Sequence, residues 1–563
     1  MRETALVRNG KTLLSGIDPV HRAERTADAV SVKDRTLYFC PSPLYGYGLE
    51  RLLERIETEA PNSAVLCVEA EGELYELSEK NISPSLAADK KFRITNICGG
   101  EGLCAFIREN WGARAFRRVE TVRFTGGWQL YPELYDSLCE DIRREIAVDW
   151  SNALTLTKLG RLYIRNALRN LSLVPRFPSI SNFSFGEAPV LVLGAGPSLD
   201  ETLDALASRF KEKLSVPESR AFKIICVDTC LGALKERNIT PDLAVILESQ
   251  HWNLRDFIGC RGWEVPAAVD LSALPESAEI LGGEGFLFMT PWTPLRIFER
   301  LKTAGLLPAV IPPLGSVGLS AVEIARRVSS GKIICAGLDF SFTQDKYHAG
   351  GTPGHLEKLN AHTRLHGIMN AAAFNPASIA AESKSGFSVR TNPAMQNYRD
   401  LFEREFAGDP RLFDIEGSGL PLGIKTLLLG EALSLLEKEV FYHEQTRTNT
   451  NRRNNSREEH GVKTGEEPDL LTEKVLAFVD GEKKRLNELR DILIGEAAAN
   501  HERLNVLIDE CDYLWAHFPD YSGGRRPPLG EIASGGQKSL SFLKRLRSEI
   551  DPMLKLLERV NNL

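Results

Sequence analysis

The sequence predicts an α/β protein: a doubly wound, parallel-sheet central domain with an N-terminal α/β domain before it and a C-terminal helical domain after it. Three observations lead there. From Pro189 to Phe340, short apolar runs ("PVLVLGAG", "FKIICVD", "DLAVILES", "EVPAAVD", "EGFLFMT", "KIICAGLDF") alternate with amphipathic stretches such as "TCLGALKERN" and "GLSAVEIARRVSS". Strands that are apolar throughout belong to parallel sheets covered on both faces. The first run breaks into Gly-Ala-Gly-Pro-Ser at 194–198, a strand-to-helix turn, and beyond residue 467 the apolar residues recur at helical spacing.

Composition bounds the function. Across 563 residues the formal net charge is −7, with 43% hydrophobic and 26% charged residues, the profile of a soluble chain of several domains. Mild acidity argues against nucleic acid as main partner, since duplex binding needs clustered Lys and Arg, and Arg452-Arg453 and Arg525-Arg526 are too short for that. The opening "MRETALVRNGKTLL" lacks a signal-type apolar core and no run of about 18 apolar residues follows, so a cytoplasmic location is expected. The 10 cysteines form no CxxC pair, and Cys67, Cys226 and Cys335 sit inside apolar runs. Buried free thiols in a reducing compartment are expected, rather than a metal site or disulfides.

Residues 1–149 read as the N-terminal α/β domain, from "RTLYFC", "YGLERLLERIETEA", "SAVLCVEA", "KFRITNIC" and "RRVETVRF". Strand, turn, helix and a strand ending at Glu69 make one βαβ unit. In "PLYGYG" the glycines Gly46 and Gly48 are followed by Leu49 and Glu50, an incomplete phosphate fingerprint, so a structural turn is expected there. Residues 150–187 form a helical connector: Leu154, Leu159, Leu162 and Leu168 keep helical spacing before "VPRFPSISNFSFGEAP" turns the chain. The central domain spans 188–443, ending in helical material that includes "TRLHGIMNAAAF" and "IKTLLLGEALSLLEKEVFYHE". Residues 444–467, almost without apolar content, read as a flexible linker, and 468–563 as a helical hairpin or three-helix bundle.

The chemistry concentrates in the central domain. Gly194 and Gly196 let a phosphate or ribose approach the backbone, Pro197 fixes the helix entrance, and Ser198 with Glu201 has capping-box spacing. The amides of that helix N-terminus favour an anion. Position 199 is Leu rather than the third glycine of a dinucleotide turn, and no Lys-Ser or Lys-Thr completes a P-loop. Asp228 ends the next strand, where an acid accepts from ribose or base donors, and Thr229 beside it caps a helix equally well. Asp242 reads as a turn residue, whereas Glu248 emerges at the carboxyl end of a strand, a working position. Gly315, Ser316 and Gly318 make a second glycine turn at a helix start, another anion candidate. Asp339 ends a buried strand, and His348 follows in a glycine-rich loop, a pair suited to proton transfer.

Taken together, "NALRNL", "FPSIS", "VLVLGAGPSLDETLDAL", "VDTCLGALKERNITPDLAVILES" and "AGLDFSF…YHAGG" resemble the motility-associated factor family of flagellin glycosyltransferases. The central domain of that family is shared with an archaeal-type 6-hydroxymethylpterin diphosphokinase. The resemblance is close over about residues 150–350 and covers the flanks only in general layout. It implies a sialyltransferase-like central domain that transfers a nonulosonic acid, pseudaminic or legionaminic in type, from its CMP-activated form to Ser or Thr of flagellin. Gly194, Gly196, Pro197 and Ser198 would then hold the nucleotide with Asp228 and Thr229 beside it, and Ser316 and Gly318 would lie near the donor phosphate or sugar. His348 is the candidate acid or base with Asp339 orienting it, and Glu248 stands where the family commonly has Asp.

This reading needs no cofactor and no metal, the CMP-sugar being a substrate. Two alternatives remain open at this point. A diphosphokinase would use ATP, a pterin and Mg²⁺ held by Asp228, Glu248 and Asp339. A non-catalytic scaffold would use the C-terminal helices to recruit flagellin or a flagellar export chaperone.

Overall fold

The computed structural model describes residues 5–112, 114–343, 346–365, 367, 377–437, 468–494, 501–521, 526 and 537–560. By density of internal contacts the chain divides into two units, Met1–Lys158 with Ala516–Arg526, and Leu159–Trp515 with Pro527–Leu563. The expected linker at 444–467 and most of "TRLHGIMNAAAF" lie outside the described residues.

The first unit opens with an antiparallel hairpin, β1 (Leu6–Arg8) and β2 (Lys11–Leu14). A four-stranded sheet follows, β3 (Thr36–Pro41), β4 (Ala64–Val68), β5 (Phe92–Thr95) and β6 (Arg118–Thr121), in the order β5-β4-β3-β6 with all pairs parallel. Side chains alternate across it, so Leu37, Phe39 and Leu66 meet Leu103, Ile107 and Ile142 on one face. Tyr38, Cys40, Val65 and Cys67 meet Leu49, Leu52 and Ile56 on the other. Burial on both faces is why these strands read as continuous apolar runs.

The second unit holds a nine-stranded sheet. Its strands are β7 (Val190–Leu193), β8 (Lys223–Val227), β9 (Leu243–Ile246), β10 (Ala267–Asp270), β11 (Gly285–Met289), β12 (Ala309–Val310), β13 (Ile333–Ala336), and, after a separate hairpin of β14 (Ile379–Glu382) and β15 (Ser388–Thr391), β16 (Leu412–Ile415) and β17 (Lys425–Leu427). The order β12-β11-β10-β9-β8-β7-β13-β16-β17 is parallel throughout. The chain therefore winds outward from β7 to β12, then returns to the other side of β7 as β13. That reversal is the switch point where ligands of open α/β sheets bind. The doubly wound α/β class is thus as expected.

Two local readings change. The periodicity seen from Trp150 is the second half of a 39-residue helix, Pro132–Asn170, whose first half is masked in the sequence by its many charges. "IKTLLL" opens as β17, because it gains a parallel partner in β16, and among the described residues after it 429–437 is helical. In the second unit the helices Pro468–Ile494, His501–Glu510 and Gln537–Val560 follow the sheet. Glu482, fully buried, accepts from the Arg300 guanidinium at 2.7 and 2.9 Å and from the Tyr513 hydroxyl at 3.2 Å, so its charge is paired. All 10 cysteines are unpaired and all but Cys98 are buried, as free structural thiols are expected to be. Among the described residues no helix is long and apolar enough to cross a membrane.

Candidate functional site

The glycine turn after β7 is fixed by close approach of backbone to backbone. A Cβ on Gly194 would lie 2.5 Å from both the Gly337 carbonyl oxygen and Leu338 Cδ2, and one on Gly196 would lie 2.6 Å from Asp339 Oδ2. Only glycine fits either place. The turn and the end of β13 are then stitched across the switch point: Asp339, 2% exposed, accepts the Ser198 amide at 2.7 Å and the Ser198 hydroxyl at 2.5 Å.

This corrects two expectations. Ser198 has helical backbone angles and makes no side-chain cap, so the capping box with Glu201 does not form. Its hydroxyl donates instead to an ionisable acceptor across the sheet, a stronger bond than a local cap. The amide of Ser198 goes to Asp339 and that of Leu199 to the Gly196 carbonyl at 3.1 Å, so this helix N-terminus already holds the protein's own carboxylate.

The second glycine turn is different. Gly315 takes φ +69°, Ser316 is extended without a side-chain cap, and the helix Val317–Val328 has no acid in its first turn. Helix geometry leaves the amides of Val317, Gly318 and Leu319 without intrahelical acceptors, and the dipole adds positive potential. A Cβ on Gly318 would lie 2.6 Å from Leu338 Cδ2, the same methyl that abuts Gly194. Leu338 therefore joins the two turns, placing Ser316 and Gly318 beside Gly194 at the switch point.

Carboxylates line the ends of β8 to β10. Asp228 Oδ1 accepts the Thr229 amide at 2.9 Å, and the Thr229 hydroxyl lies 3.3 Å from both Asp228 Oδ1 and Asp256 Oδ2. The Asn253 amide nitrogen reaches Asp228 Oδ2 at 2.7 Å and Asp256 Oδ2 at 3.5 Å. Burial, then the neighbouring Asp256, pushes the Asp228 carboxyl up to about 7. Asp270, fully buried, accepts from the Ser272 amide and hydroxyl and from the Thr290 amide, and burial still pushes it up to about 6. Glu248 is exposed and accepts the Gln250 amide at 2.9 Å.

Two tyrosines feel the charge of Glu248. Burial and then Glu248 push the Tyr163 phenol up to about 12, and the same two causes raise Tyr398. The Tyr163 ring packs 5.1 Å from Trp292, and Tyr398 lies 3.0 Å from where a Cβ on Gly315 would stand. Sequence reasoning missed Tyr163, Asn253, Asp256, Asp270 and Tyr398. Tyr163 hides inside a helix whose apolar spacing reads as core. "HWNLRDF" forms the 3₁₀ helix His251–Phe257, whose period matches neither the helix nor the strand template.

The loop carrying His348 lies on the first turn. Its Ala349 amide donates to the Ala195 carbonyl at 3.0 Å, and Asp200 accepts from the Gly350 amide at 3.0 Å and from Lys346 at 2.7 Å. Burial, then Lys358, Arg255 and His355, push the His348 imidazole down to about 4, so it is neutral at physiological pH. Its charged neighbours are cations, and the Asp339 carboxylate is bonded to Ser198; the expected Asp339–His348 pairing is replaced by Asp339–Ser198. Asp242 proves to be a buried partner of Arg220 at 2.8 Å and Lys223 at 3.1 Å, more than a turn residue. Among the described residues no three His, Cys, Asp or Glu side chains are grouped to hold a metal ion.

In the first unit, Glu69 is 1% exposed and accepts from the Ser42 hydroxyl at 2.7 Å and the Tyr135 hydroxyl at 3.3 Å. Both Glu69 carboxylate oxygens are thus matched beside the turn after β3.

Comparison with known proteins shows what the chain resembles. Residues 163–345 match the family described as 6-hydroxymethylpterin diphosphokinase MptE-like, a span that holds both glycine turns and the carboxylates. Over nearly its full length the chain has the fold of the Maf glycosyltransferase from Magnetospirillum magneticum AMB-1, with a TM-score of 0.50 at 14% identity, covering 99% of this chain and 85% of that one. It is also 28% identical over 543 residues, 95% of this chain and 90% of the other, to an uncharacterized protein of Treponema pallidum (strain Nichols).

Proposed function

We propose that the protein is a glycosyltransferase that moves a nonulosonic acid of pseudaminic or legionaminic type from a CMP-activated donor to Ser or Thr of flagellin in the cytoplasm, in support of flagellar assembly and motility. The observation that carries this reading is the meeting of two glycine turns on Leu338 at the switch point, one closed by Asp339 and one open. The open turn supplies the phosphate site: the first amides of Val317–Val328 and the Ser316 hydroxyl receive the donor phosphate and later the leaving CMP. The closed turn, with Gly194, Gly196, Pro197 and Ser198 locked by Asp339, gives the nucleoside a rigid wall that needs no reorganisation. Departure of CMP leaves positive charge at the anomeric carbon, and the exposed Glu248 beside Tyr163 and Tyr398 offers it a counter-charge. The likeness in fold to a Maf glycosyltransferase supports the class of reaction.

The diphosphokinase reading keeps one specific support, the description of the matched family. Calorimetry separates the readings. CMP binding that weakens about tenfold in Ser316→Ala, with ATP weaker than CMP, is the expected result. ATP binding that is tighter and Mg²⁺-dependent supports the diphosphokinase, and no binding of CMP, CTP or ATP supports the scaffold.

A further inference from the structure

A transfer to a hydroxyl needs a group that takes its proton, and burial with Lys358 and Arg255 nearby makes His348 a weak base. The 3₁₀ helix His251–Phe257 offers another answer. Its three-residue period puts Asn253 and Asp256 on one face. That face is buried against the end of β8, at 4% exposure for Asn253 and 8% for Asp256. There the Asn253 amide nitrogen and the Thr229 hydroxyl each lie between the carboxylates of Asp228 and Asp256. Asn253 Oδ1, buried with them, has no hydrogen-bond partner. A buried amide that gives its nitrogen to two carboxylates and leaves its oxygen unmatched calls for a donor from outside, a hydroxyl or an amine.

We propose, resting on the transferase reading, that Asp228 and Asp256 act as one proton-accepting unit for the acceptor hydroxyl. Asp256, the less buried, touches the hydroxyl as the catalytic base, and Asp228 behind it is a positioning residue. Asn253 Oδ1 receives a second donor of the bound substrate. In the step, the acceptor O–H bond breaks and its proton passes to Asp256. The oxygen's electron pair forms the bond to the anomeric carbon, and the bond from that carbon to the donor phosphate breaks with its pair on the departing CMP.

Two buried carboxylates this close share their titration, so the apparent values belong to the pair. Burial raises both, the neighbouring Asp256 and Glu248 raise Asp228 further, Asn253 and Thr229 lower both, and Arg255 lowers Asp256. Cys226 and Cys230, the other titratable groups facing Asp228, are thiols held well above their usual range by burial. Raising the carboxyls of such a pair moves them toward the range in which a general base works best.

The test follows CMP release from a CMP-nonulosonate in the presence of flagellin, using the full chain, as a function of pH. Asp256→Asn is expected to lose at least a hundredfold in kcat with CMP affinity within threefold, and Asp256→Glu to recover part of the loss. Asp228→Asn is expected to move the acid limb of the rate profile down by more than one pH unit, because the remaining carboxylate no longer faces a like charge. Near-wild-type turnover by Asp256→Asn, or an unmoved limb in Asp228→Asn, overturns the proposal. The infrared band of a protonated carboxyl gives a second readout on the free protein. A band that titrates near neutrality and vanishes in Asp228→Asn supports the pair, and its absence from the wild type overturns it. A wild type with that band and no CMP release from any donor overturns the transferase reading instead.

Discussion

At the switch point of the first sheet, between β3 and β6, the chain fills its own crevice. Thr125 donates to the Ser42 carbonyl at 2.6 Å, the Gly126 amide donates to Leu13 of β2 at 2.7 Å, and a Cβ on Gly127 would stand 2.0 Å from Ser42 Oγ. Glu69 sits inside that packing with its oxygens matched. At the switch point of the second sheet, between β7 and β13, only one of two helix entrances is filled, by Asp339. The other begins at Ser316 uncapped. Parallel topology therefore supplies the crevice in both sheets, and the uncapped helix entrance at Ser316 sets the second apart from the packed first.

That contrast breaks or sharpens by mutation. The largest effect is expected where backbone meets backbone. Gly194→Ala drives a Cβ to 2.5 Å from the Gly337 carbonyl and should cost about 3 kcal/mol or more in denaturant unfolding of the second unit. Gly99→Ala, at the N-cap of the helix Gly100–Trp111 in the first unit, where a Cβ would have nothing within 4 Å, should cost no more than about 1 kcal/mol.

Next comes pH. Burial and Asp256 raise the Asp228 carboxyl from its ordinary 3.8 to about 7 on folding, so between those values the native state holds the extra proton. Stability should fall as pH rises through that window, by on the order of 2 kcal/mol. Asp228→Asn should remove that slope, and urea titrations at several pH values would show an unchanged slope if the carboxyl were ionised throughout.

Ser316→Ala should weaken CMP binding by about 1.4 kcal/mol, close to tenfold, through loss of one hydrogen bond to a charged group. The smallest change belongs to Glu69→Gln. Burial already raises the Glu69 carboxyl, so the amide should leave CMP affinity unchanged and stability within about 1 kcal/mol. A tenfold loss of CMP affinity there would move the nucleotide site into the first sheet.

Much of this was legible from residues. Apolar runs at 190–193, 223–227 and 333–336 announced the buried parallel strands, and Gly194, Gly196, Ser316 and Asp339 stood at strand ends where a doubly wound sheet puts its crevice. The partners of those residues were not legible, because they are set by strand order. Asp339 meets Ser198 only because β13 returns beside β7, and that adjacency, rather than proximity in sequence to His348, decides what its carboxylate holds. Asp256 and Tyr398 come from a 3₁₀ turn and from the helix Pro393–Phe406, whose local patterns carry no mark of a site.

The central claim is transfer of a CMP-activated nonulosonic acid to flagellin through the Ser316 turn, and intact-mass measurement of flagellin tests it most directly. Flagellin co-expressed with this protein should gain mass in units of one sugar residue only when a CMP-nonulosonate pathway is present, and the gain should shrink with Ser316→Ala. An unchanged flagellin mass with the donor pathway active would contradict the account.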